Sequence, residues 1–309
     1  MNNKFPPFAI PIGNADPNEE PLFPDGFPGI DTDAAAAMIC SNPEPAEQAG
    51  YLDRHLSNVR VPTMLSYPAD PAIRKSAAVL ICPGGGYQVL AFDKEGTDLA
   101  RFFNSFGVNA FVLKYQLSWQ GDKKGVYPYA PLRSAQRALR LIRQRAAELG
   151  IDRNKVGIMG FSAGAHLAAT ASTMFDDVDE PKAELREFSA RPDFSILIYA
   201  VISMVAAYRH QGSQINLLGE TASEELKRRF SPELNVSDTT PPAFMVHCLD
   251  DPVFVDNSLC YLEALRQKNI KAEMHLYAEG GHGYGMRQKG SSLDQWPQAL
   301  KHFMLDLLK

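Results

Sequence analysis

A serine that could act as a nucleophile stands in residues 160–164, whose sequence GFSAG matches the pattern G-x-S-x-G. The segment lies between an apolar run typical of a strand and a run of small residues typical of a helix. A serine on so sharp a turn has strained backbone dihedrals, and glycine two residues before and after it removes the steric clash. The pattern predicts Ser162 as a nucleophile, although a plain strand-to-helix turn matches the same five letters.

A carboxylate and an imidazole follow Ser162 in the chain order that a serine hydrolase of the α/β-hydrolase fold requires. Asp250 and Asp251 come directly after a predicted strand, and His282 lies in the glycine-rich residues 280–285 after the last one. His282 would accept the serine proton and return it to the leaving alcohol, while one of the two aspartates orients the imidazole. The order Ser, Asp, His differs from those of chymotrypsin and subtilisin. These residues alone leave the choice of aspartate open.

A run of three glycines at residues 84–86 follows another predicted strand, upstream of the serine. Backbone N–H groups in such a run can face an oxyanion without obstruction from side chains. We expect the N–H groups of Gly85, Gly86 and Ala163 to form this oxyanion hole, and losing one such donor costs about 3 kcal/mol of barrier. Pro83 replaces the histidine of the HGGG motif in lipases and esterases. A flexible turn and a phosphate loop are the alternatives, but no G-K-[ST] follows.

The other histidines near these motifs are expected to be structural. His166 lies one turn into the helix after the serine, and His247 lies in a strand, so both are expected to be packed and hydrogen-bonded. His247, Asp250 and His282 could be imagined around a metal ion, but no ligand spacing of a known metal site supports this. The sequence therefore predicts no metal and no other cofactor.

Several aromatic residues are candidates for contacts with the substrate. Tyr87 directly follows the oxyanion glycines, and Phe161 and Ala163 flank the serine. A bulky ring beside the oxyanion hole would narrow the acyl pocket and favour an acetyl group. Tyr87, Trp119 and Trp296 could line a sugar pocket, with the alternative that they are ordinary core residues.

Strand-like and helix-like segments alternate from residue 77 onward, and the motifs fall between them. The predicted strands are residues 77–82, 108–115, 155–160, 193–200, 243–249 and 272–277. The predicted helices are residues 98–105, 132–149, 257–268 and 293–308, with one more beginning at Ala163. Continuous apolar strands that alternate with helices predict an α/β fold with a mostly parallel central sheet covered on both faces. The candidate residues then meet at the carboxyl edge of the sheet, where such folds bind ligands.

Two regions depart from this alternation. Residues 1–50 are rich in proline, glycine and acidic residues, and predict an irregular N-terminal extension over the surface of a domain at 51–309. Residues 203–236 predict a small helical or irregular cap over the carboxyl edge of the sheet. In the predicted helix 132–149, arginines lie between the apolar positions and are expected on a solvated surface. These arginines are residues 133, 137, 140, 143 and 145.

The motifs predict a small-molecule ester as the partner, and the composition is that of an ordinary globular enzyme. The 309 residues are 45% hydrophobic and 22% charged, and the net charge of −5 argues against nucleic-acid and anionic-membrane partners. Cysteines 40, 82, 248 and 260 form no C-x-x-C pair. No apolar run reaches the ~20 residues of a membrane span, and no signal peptide is recognisable, so a cytoplasmic enzyme is expected. A homo-oligomer is compatible with the sequence, which does not set the oligomeric state.

Together, these motifs resemble those of the hormone-sensitive-lipase-like and BD-FAE-like esterases of the α/β-hydrolase superfamily. The similarity is strongest to the bacterial acetyl-esterase group whose members are named acetylxylan esterase or, misleadingly, endo-1,4-beta-xylanase B. Ala165 departs from this group, which usually has glycine there, and residues 1–50 match nothing in it. The matching stretches are residues 82–87, 156–169, 191–203, 216–219, 247–258 and 280–285.

The resemblance implies an esterase that removes acetyl groups from sugars or xylo-oligosaccharides. It also implies Asp251 as the acid, because the group has its acid four residues after the position of His247. Alternatives on the same fold are a general short-chain esterase, a peptidase, a dienelactone-type enzyme and a lipase. A non-catalytic binding protein that kept the fold would usually have lost one of the three residues, and here all three are present. A xylanase needs two carboxylates across a cleft, and no motif places such a pair in this sequence.

Overall fold

The computed structural model describes residues 8–11, 16, 19–26, 39–118, 123–287 and 289–309, which form a central sheet with helices around it. The strands are β1 (Glu19–Pro21), β2 (Ile39–Ser41), β3 (His55–Ser57), β4 (Thr63–Tyr67), β5 (Ala78–Cys82), β6 (Val89–Ala91), β7 (Asn109–Lys114), β8 (Val156–Phe161), β9 (Ser195–Ile198), β10 (Ala243–Cys248) and β11 (Ala272–Tyr277). The helices are α1 (Glu44–Ala49), α2 (Asp98–Asn104), α3 (Ala130–Gln144), α4 (Ala146–Leu149), α5 (Ala163–Thr173), α6 (Gln211–Leu218), α7 (Glu224–Arg229), α8 (Asp256–Gln267) and α9 (Trp296–Leu307). Short 3-10 turns lie at Ala183–Leu185, Pro232–Leu234 and Ser292–Gln295, and a π-helical turn lies at Asp93–Thr97.

The central sheet has eight described strands in the order β1-β4-β7-β5-β8-β9-β10-β11. The pairs β1–β4 and β4–β7 are antiparallel, and every pair from β7 to β11 is parallel. All residues of β5, β7, β8, β9 and β10 are buried. Because successive side chains of a strand point to opposite faces, both faces of the sheet are covered. The predicted α/β fold is confirmed. Strands β2, β3 and β6 form a separate antiparallel sheet.

The single helix predicted at residues 132–149 is two helices in the structure. The backbone of Arg145 (φ −90°, ψ 10°) leaves the helical region between α3 and α4. Gly150 then ends α4 in the left-handed conformation, with φ 66°. The apolar spacing continues across the break, so the sequence pattern contains no sign of it.

Three arginines of α3, which we call the arginine face (Arg137, Arg140 and Arg143), are buried, so the predicted solvated surface is wrong for them. Arg137 is 2% exposed and forms an ion pair with Glu180 at 2.6 Å. Arg143 forms an ion pair with Asp193 at 2.8 Å. Backbone carbonyls accept further N–H groups of all three guanidinium groups. Segments distant in sequence cover this face and supply its acceptors, which a helical pattern cannot show.

The described part of residues 1–50 contains regular elements where an irregular extension was predicted. Strand β1 pairs with the otherwise open side of β4, and its Pro21 stands at the sheet edge, where proline is tolerated. Lys114 of β7 reaches across to Glu19 at 2.7 Å. Leu22 and Phe23 are buried in the main core. Strand β1 is only three residues long and lies in a proline-rich segment, so the sequence pattern does not predict this pairing.

Residues 203–236 lie between β9 and β10 and contain the helices α6 and α7. The side chain of His210 caps α6 by accepting the N–H of Ser213, and Ser223 caps α7 in the same way. Across the described ranges of the chain, no helix is both long enough and apolar enough to cross a membrane.

Candidate active site

Ser162 occupies the sharp turn between β8 and α5. Its backbone has φ 51° and ψ −119°, a strained combination for a residue with a side chain. A Cβ at Gly160 would lie 2.1 Å from the carbonyl oxygen of Gly164, and a Cβ at Gly164 would lie 2.1 Å from that of Cys82. Only glycine fits at either position, which is the physical reason for the G-x-S-x-G pattern.

The side chains of Ser162, His282 and Asp251 form one continuous path of contacts. Nε2 of His282 lies 2.9 Å from Oγ of Ser162. Nδ1 of His282 lies 2.9 and 2.8 Å from the two carboxylate oxygens of Asp251. A carboxylate only accepts, so Nδ1 carries the hydrogen and Nε2 accepts from the serine hydroxyl. Asp251 is buried, and its Oδ1 also accepts the N–H of Val253 at 2.7 Å, which holds the carboxylate in place.

Asp250 points away from the imidazole and braces the loop that carries it. Its carboxylate accepts the N–H groups of Gly280 at 3.1 Å and Gly281 at 2.9 Å. The hydrogen bonds from Gly281 and Gly280 lower the pKa of Asp250 below its usual value. The structure thus brings Asp251, and not its neighbour, to His282.

The glycine loop after β5 lies directly beside the serine. A Cβ at Gly84 would stand 3.0 Å from Cβ of Ser162. Gly85 has φ 126°, and a Cβ there would lie 2.1 Å from the carbonyl oxygen of Val89. The N–H of Gly84 is already engaged, because it donates to Oε2 of Glu95 at 2.8 Å. This first amide of the loop therefore positions the loop and cannot itself face a substrate.

Three other N–H groups around the serine remain available, those of Gly85, Gly86 and Ala163. In the part of the chain that the structure describes, none of them donates to a protein acceptor. Ala163 is the first residue of α5, where helical N–H groups lack an intrahelical partner and the helix dipole is positive. Gly86 has φ 64°, in the left-handed region that favours glycine. Donors in this arrangement can stabilise negative charge that develops beside the serine.

His166 and His247 are buried in the core, as the sequence predicts. Nε2 of His166 donates to the carbonyl oxygen of Phe230 at 2.8 Å, so its Nδ1 accepts from the hydroxyl of Tyr87 at 2.8 Å. Burial lowers the pKa of His166 to about 4. His247 contacts the hydroxyl of Ser258 at 2.8 Å. Among the described residues, no group of three or more His, Cys, Asp or Glu side chains is arranged to hold a metal ion.

Two of the three aromatic residues predicted to line a sugar pocket are core residues. Trp296 is 2% exposed and packs edge-to-face against Phe161, with ring centroids 6.4 Å apart. Tyr87 is 1% exposed and packs against Tyr115. A sugar stacks on a free ring face, and neither ring has one, so the prediction is wrong for these two residues. Trp119 lies outside the described residues.

Glu95 and Tyr199, which no motif singled out, connect the loops of the site. The ring of Tyr199 packs edge-to-face against the imidazole of His282, with centroids 4.8 Å apart. The Tyr199 hydroxyl donates to Oε1 of Glu95 at 2.8 Å and accepts the N–H of Gly285 at 3.0 Å. The sequence signal for Tyr199 is its place at the carboxyl end of β9. Glu95 lies in the π-helical turn, where no signal marks it.

The beginning of α6 lies against the oxyanion loop. Nδ2 of Asn216 donates to the carbonyl oxygen of Gly86 at 2.8 Å, and Oγ of Ser213 lies 3.9 Å from where a Cβ at Gly86 would stand. Nδ1 of His210 lies 2.8 Å from the Ser213 hydroxyl. Burial, followed by the nearby His282, lowers the pKa of His210. This part of the region predicted as a cap therefore adds polar side chains beside the oxyanion loop.

Comparison with known proteins shows which family the chain resembles. A family model described as BD-FAE matches residues 69–264. The chain is 37% identical to Endo-1,4-beta-xylanase B of Butyrivibrio fibrisolvens over 72% of this chain and 34% of that protein. It is 34% identical to Acetylxylan esterase of Xylanibacter ruminicola over 77% of this chain and 46% of that protein. The chain thus spans less than half the length of either relative.

A solved structure resembles the chain over nearly its whole length. It is an acetyl ester-xyloside bifunctional hydrolase from Caldicellulosiruptor lactoaceticus, with a TM-score of 0.77 and 31% identity over 96% of this chain and 97% of that one. The sheet topology and these similarities define the chain as a protein of the α/β-hydrolase fold. Within that fold, it belongs to the BD-FAE family, whose model matches more than half of its residues. The resemblance drawn from the motifs is confirmed.

Proposed function

We propose that this protein is a serine esterase that removes acetyl groups from acetylated sugars or short xylo-oligosaccharides. The observation that carries the proposal is the unbroken path from Asp251 through His282 to Ser162, which ends beside available backbone N–H groups. The proposed reaction proceeds through an acyl-enzyme and needs no metal or other cofactor.

In the first half of the reaction, Oγ of Ser162 attacks the ester carbonyl carbon while Nε2 of His282 takes the hydroxyl proton. Asp251 stabilises the imidazolium that forms. The negative charge on the former carbonyl oxygen is stabilised by the N–H groups of Gly85, Gly86 and Ala163. The bond from carbon to the leaving oxygen then breaks, and His282 gives its proton to the departing alcohol. The acyl group remains bound to the serine.

In the second half, water takes the place of the alcohol. His282 removes a proton from the water, whose oxygen attacks the acyl carbon. The tetrahedral intermediate uses the same N–H donors. When the bond to Oγ breaks, His282 returns the proton to Ser162 and acetate leaves. One ester and one water thus give one alcohol and one carboxylic acid.

Two observations support an acetylated carbohydrate as the substrate. The relatives include proteins named for acetylxylan and for acetyl ester-xyloside hydrolysis. A groove of about 390 Å³ adjoins the oxyanion loop on the side where the chain leaves it. Polar side chains in such a groove can hydrogen-bond to sugar hydroxyls. Its lining residues are Ser57, Asn58, Val59, Arg60, Gln88, Val89 and Leu117.

The test compares acyl groups and alcohols on the purified protein. We expect 4-nitrophenyl acetate to be hydrolysed faster than the butyrate and octanoate esters, and acetate to be released from acetylated xylo-oligosaccharides. In Gln88→Ala, KM for the oligosaccharide should rise while KM for 4-nitrophenyl acetate stays unchanged, because the smaller ester does not reach the groove. Ser162→Ala is the inactive control.

The alternatives predict different patterns in the same experiment. A general esterase would hydrolyse octanoate faster than acetate and release no acetate from any sugar. A peptidase would cleave 4-nitroanilides of amino acids, which we expect to be inert. A binding protein that kept only the fold would cleave none of these substrates and would leave a fluorophosphonate probe unreacted.

A further inference from the structure

Glu95 is a buried carboxylate that joins the two loops of the site. It is 3% exposed and lies in the π-helical turn Asp93–Thr97, between the oxyanion loop and the loop that carries His282. Its Oε2 accepts the N–H of Gly84, and its Oε1 accepts the hydroxyl of Tyr199, each at 2.8 Å. Among the described residues, no cationic side chain forms an ion pair with it. Burying a carboxylate without a cationic partner costs free energy of folding, so the buried position of Glu95 needs an explanation.

The bond to Gly84 acts on the oxyanion loop. A Cβ at Gly84 would lie 2.6 Å from Oε2 of Glu95 and 2.6 Å from the carbonyl oxygen of Phe161, so the carboxylate fits closely against this peptide. Because Gly85 and Gly86 follow directly, the direction of the first N–H constrains the directions of the next two. The carboxylate thereby aims the donors of the proposed oxyanion hole.

The bond to Tyr199 acts on the histidine loop. The Tyr199 hydroxyl accepts the N–H of Gly285 at 3.0 Å, and the tyrosine ring packs against the imidazole of His282. The two segments also meet directly, since a Cβ at Gly285 would lie 2.3 Å from the carbonyl oxygen of Lys94. Movement of Glu95 would therefore displace the histidine loop and the oxyanion loop together.

We propose that Glu95 is a positioning residue that sets the oxyanion hole and His282 relative to each other. This inference rests on the proposed esterase function. A carboxylate is required because both of its partners donate, and only an ionised carboxylate accepts at both oxygens. Glutamine has nearly the same shape, but its NH₂ would face either the Gly84 N–H, where two donors would meet, or the Tyr199 hydroxyl, whose own hydrogen would then lose its acceptor.

The main experiment measures Glu95→Gln with kcat expressed per active site titrated by a fluorophosphonate. We expect kcat to fall roughly 10- to 100-fold, since displacing catalytic groups by a fraction of an ångström has effects of this size, while KM changes less than about threefold. A phenylboronic acid, which forms a tetrahedral adduct on the serine, should bind more weakly by a similar factor. A residue that served only stability would reduce the number of titrated sites and leave both values per site unchanged.

Two further variants make the test specific. Tyr199→Phe removes only the hydroxyl. In the double variant, the loss of kcat should be smaller than the product of the losses in Tyr199→Phe and Glu95→Gln, because the two residues act through one contact. Glu180→Gln is the matched control, because Glu180 is also buried but pairs with Arg137 and has no contact with the site. It should lower Tm and leave kcat per titrated site unchanged.

A Glu95→Gln variant whose kcat per titrated site and boronate affinity stay within twofold of the parent overturns the proposal. If that variant does not fold, Tyr199→Phe decides in the same way: a loss of kcat per site supports the proposal, and parental kcat overturns it. Failure of the underlying function would look different, because the unchanged protein would then hydrolyse no ester and would not be labelled at Ser162.

Discussion

The carboxyl edge of the sheet and the arginine face of α3 both bury polar side chains, but they use hydrogen bonds differently. On the arginine face, the donors of Arg137 and Arg143 meet carboxylates and carbonyls of the protein itself. At the carboxyl edge, the path from Asp251 through His282 ends on the hydroxyl of Ser162, beside N–H groups without an acceptor among the described residues.

This difference predicts that the arginine face contributes to stability and the carboxyl edge to activity. A buried donor that meets a protein acceptor contributes to folding, and removing its partner is costly. A donor that lacks an acceptor costs stability and is retained where a substrate supplies the acceptor. Changes at the carboxyl edge should therefore reduce activity with little effect on unfolding, and changes on the arginine face should do the reverse. The following variants test this contrast, ordered by the expected change in free energy.

Ser162→Ala should have the largest effect, because it removes the proposed nucleophile. We expect kcat to fall by about 10⁴- to 10⁶-fold, while Tm stays within a few degrees of the parent. A fluorophosphonate probe should label the parent at Ser162 and leave the variant unlabelled. Undiminished labelling of the variant would show that the nucleophile lies elsewhere.

Asp251→Asn should lower kcat by about 10³- to 10⁴-fold, because an amide that donates to Nδ1 favours the wrong tautomer of His282. Hydrolysis of 4-nitrophenyl acetate measures the effect, and the far-ultraviolet circular dichroism spectrum checks that the fold is intact. Activity within tenfold of the parent would contradict the assigned role.

Arg137→Met should lower the free energy of unfolding by about 3–5 kcal/mol, because it leaves the carboxylate of Glu180 buried and unpaired. Urea denaturation measures this loss, and kcat per titrated site should stay at the parental value. The double variant Arg137→Met/Glu180→Gln should recover part of the stability. A drop in kcat with unchanged stability would contradict a purely structural role for the arginine face.

His166 should make the protein less stable in mild acid. Its pKa in the folded protein is about 4, below the ordinary value of 6.5, so the unfolded chain takes up the proton first. The stability it contributes is fully present above about pH 6.5 and is lost as the pH falls toward 4, for a total of about 3 kcal/mol. Between pH 7 and pH 4, the free energy of unfolding of His166→Asn, measured by urea denaturation, should fall by about 3 kcal/mol less than that of the parent. Identical pH profiles for parent and variant would refute the assignment.

Asp250→Asn should have the smallest effect, a loss of less than about tenfold in kcat. Asparagine retains one oxygen that can accept the N–H of Gly280 or Gly281, so the histidine loop loses only part of its brace. The same ester assay applies, with Asp251→Asn as the matched comparison. Equal losses in the two variants would mean that the neighbouring aspartates act as a unit.

Local sequence was sufficient to identify Ser162 and His282 as candidates. The glycines at 160 and 164 are required because any Cβ there would clash with nearby backbone, so the turn at Ser162 can be recognised from five residues of sequence. The alternation of strands and helices likewise predicted the parallel sheet, since period and burial are properties of short segments. A parallel sheet then places the ends of its strands at one edge, which is why the order of the motifs indicated a common site.

Tertiary structure alone decided which groups meet. Asp250 and Asp251 are neighbours in sequence, and only the path of their loop turns one toward His282 and the other toward the backbone of the histidine loop. The arginine face is buried by segments remote in sequence, and Trp296 is packed in the core for the same reason. Glu95 acquires its partners from two loops that follow different strands. Apart from the bond between Glu95 and Gly84, each of these contacts joins residues far apart in the chain. A pattern within one segment contains no information about what packs against it.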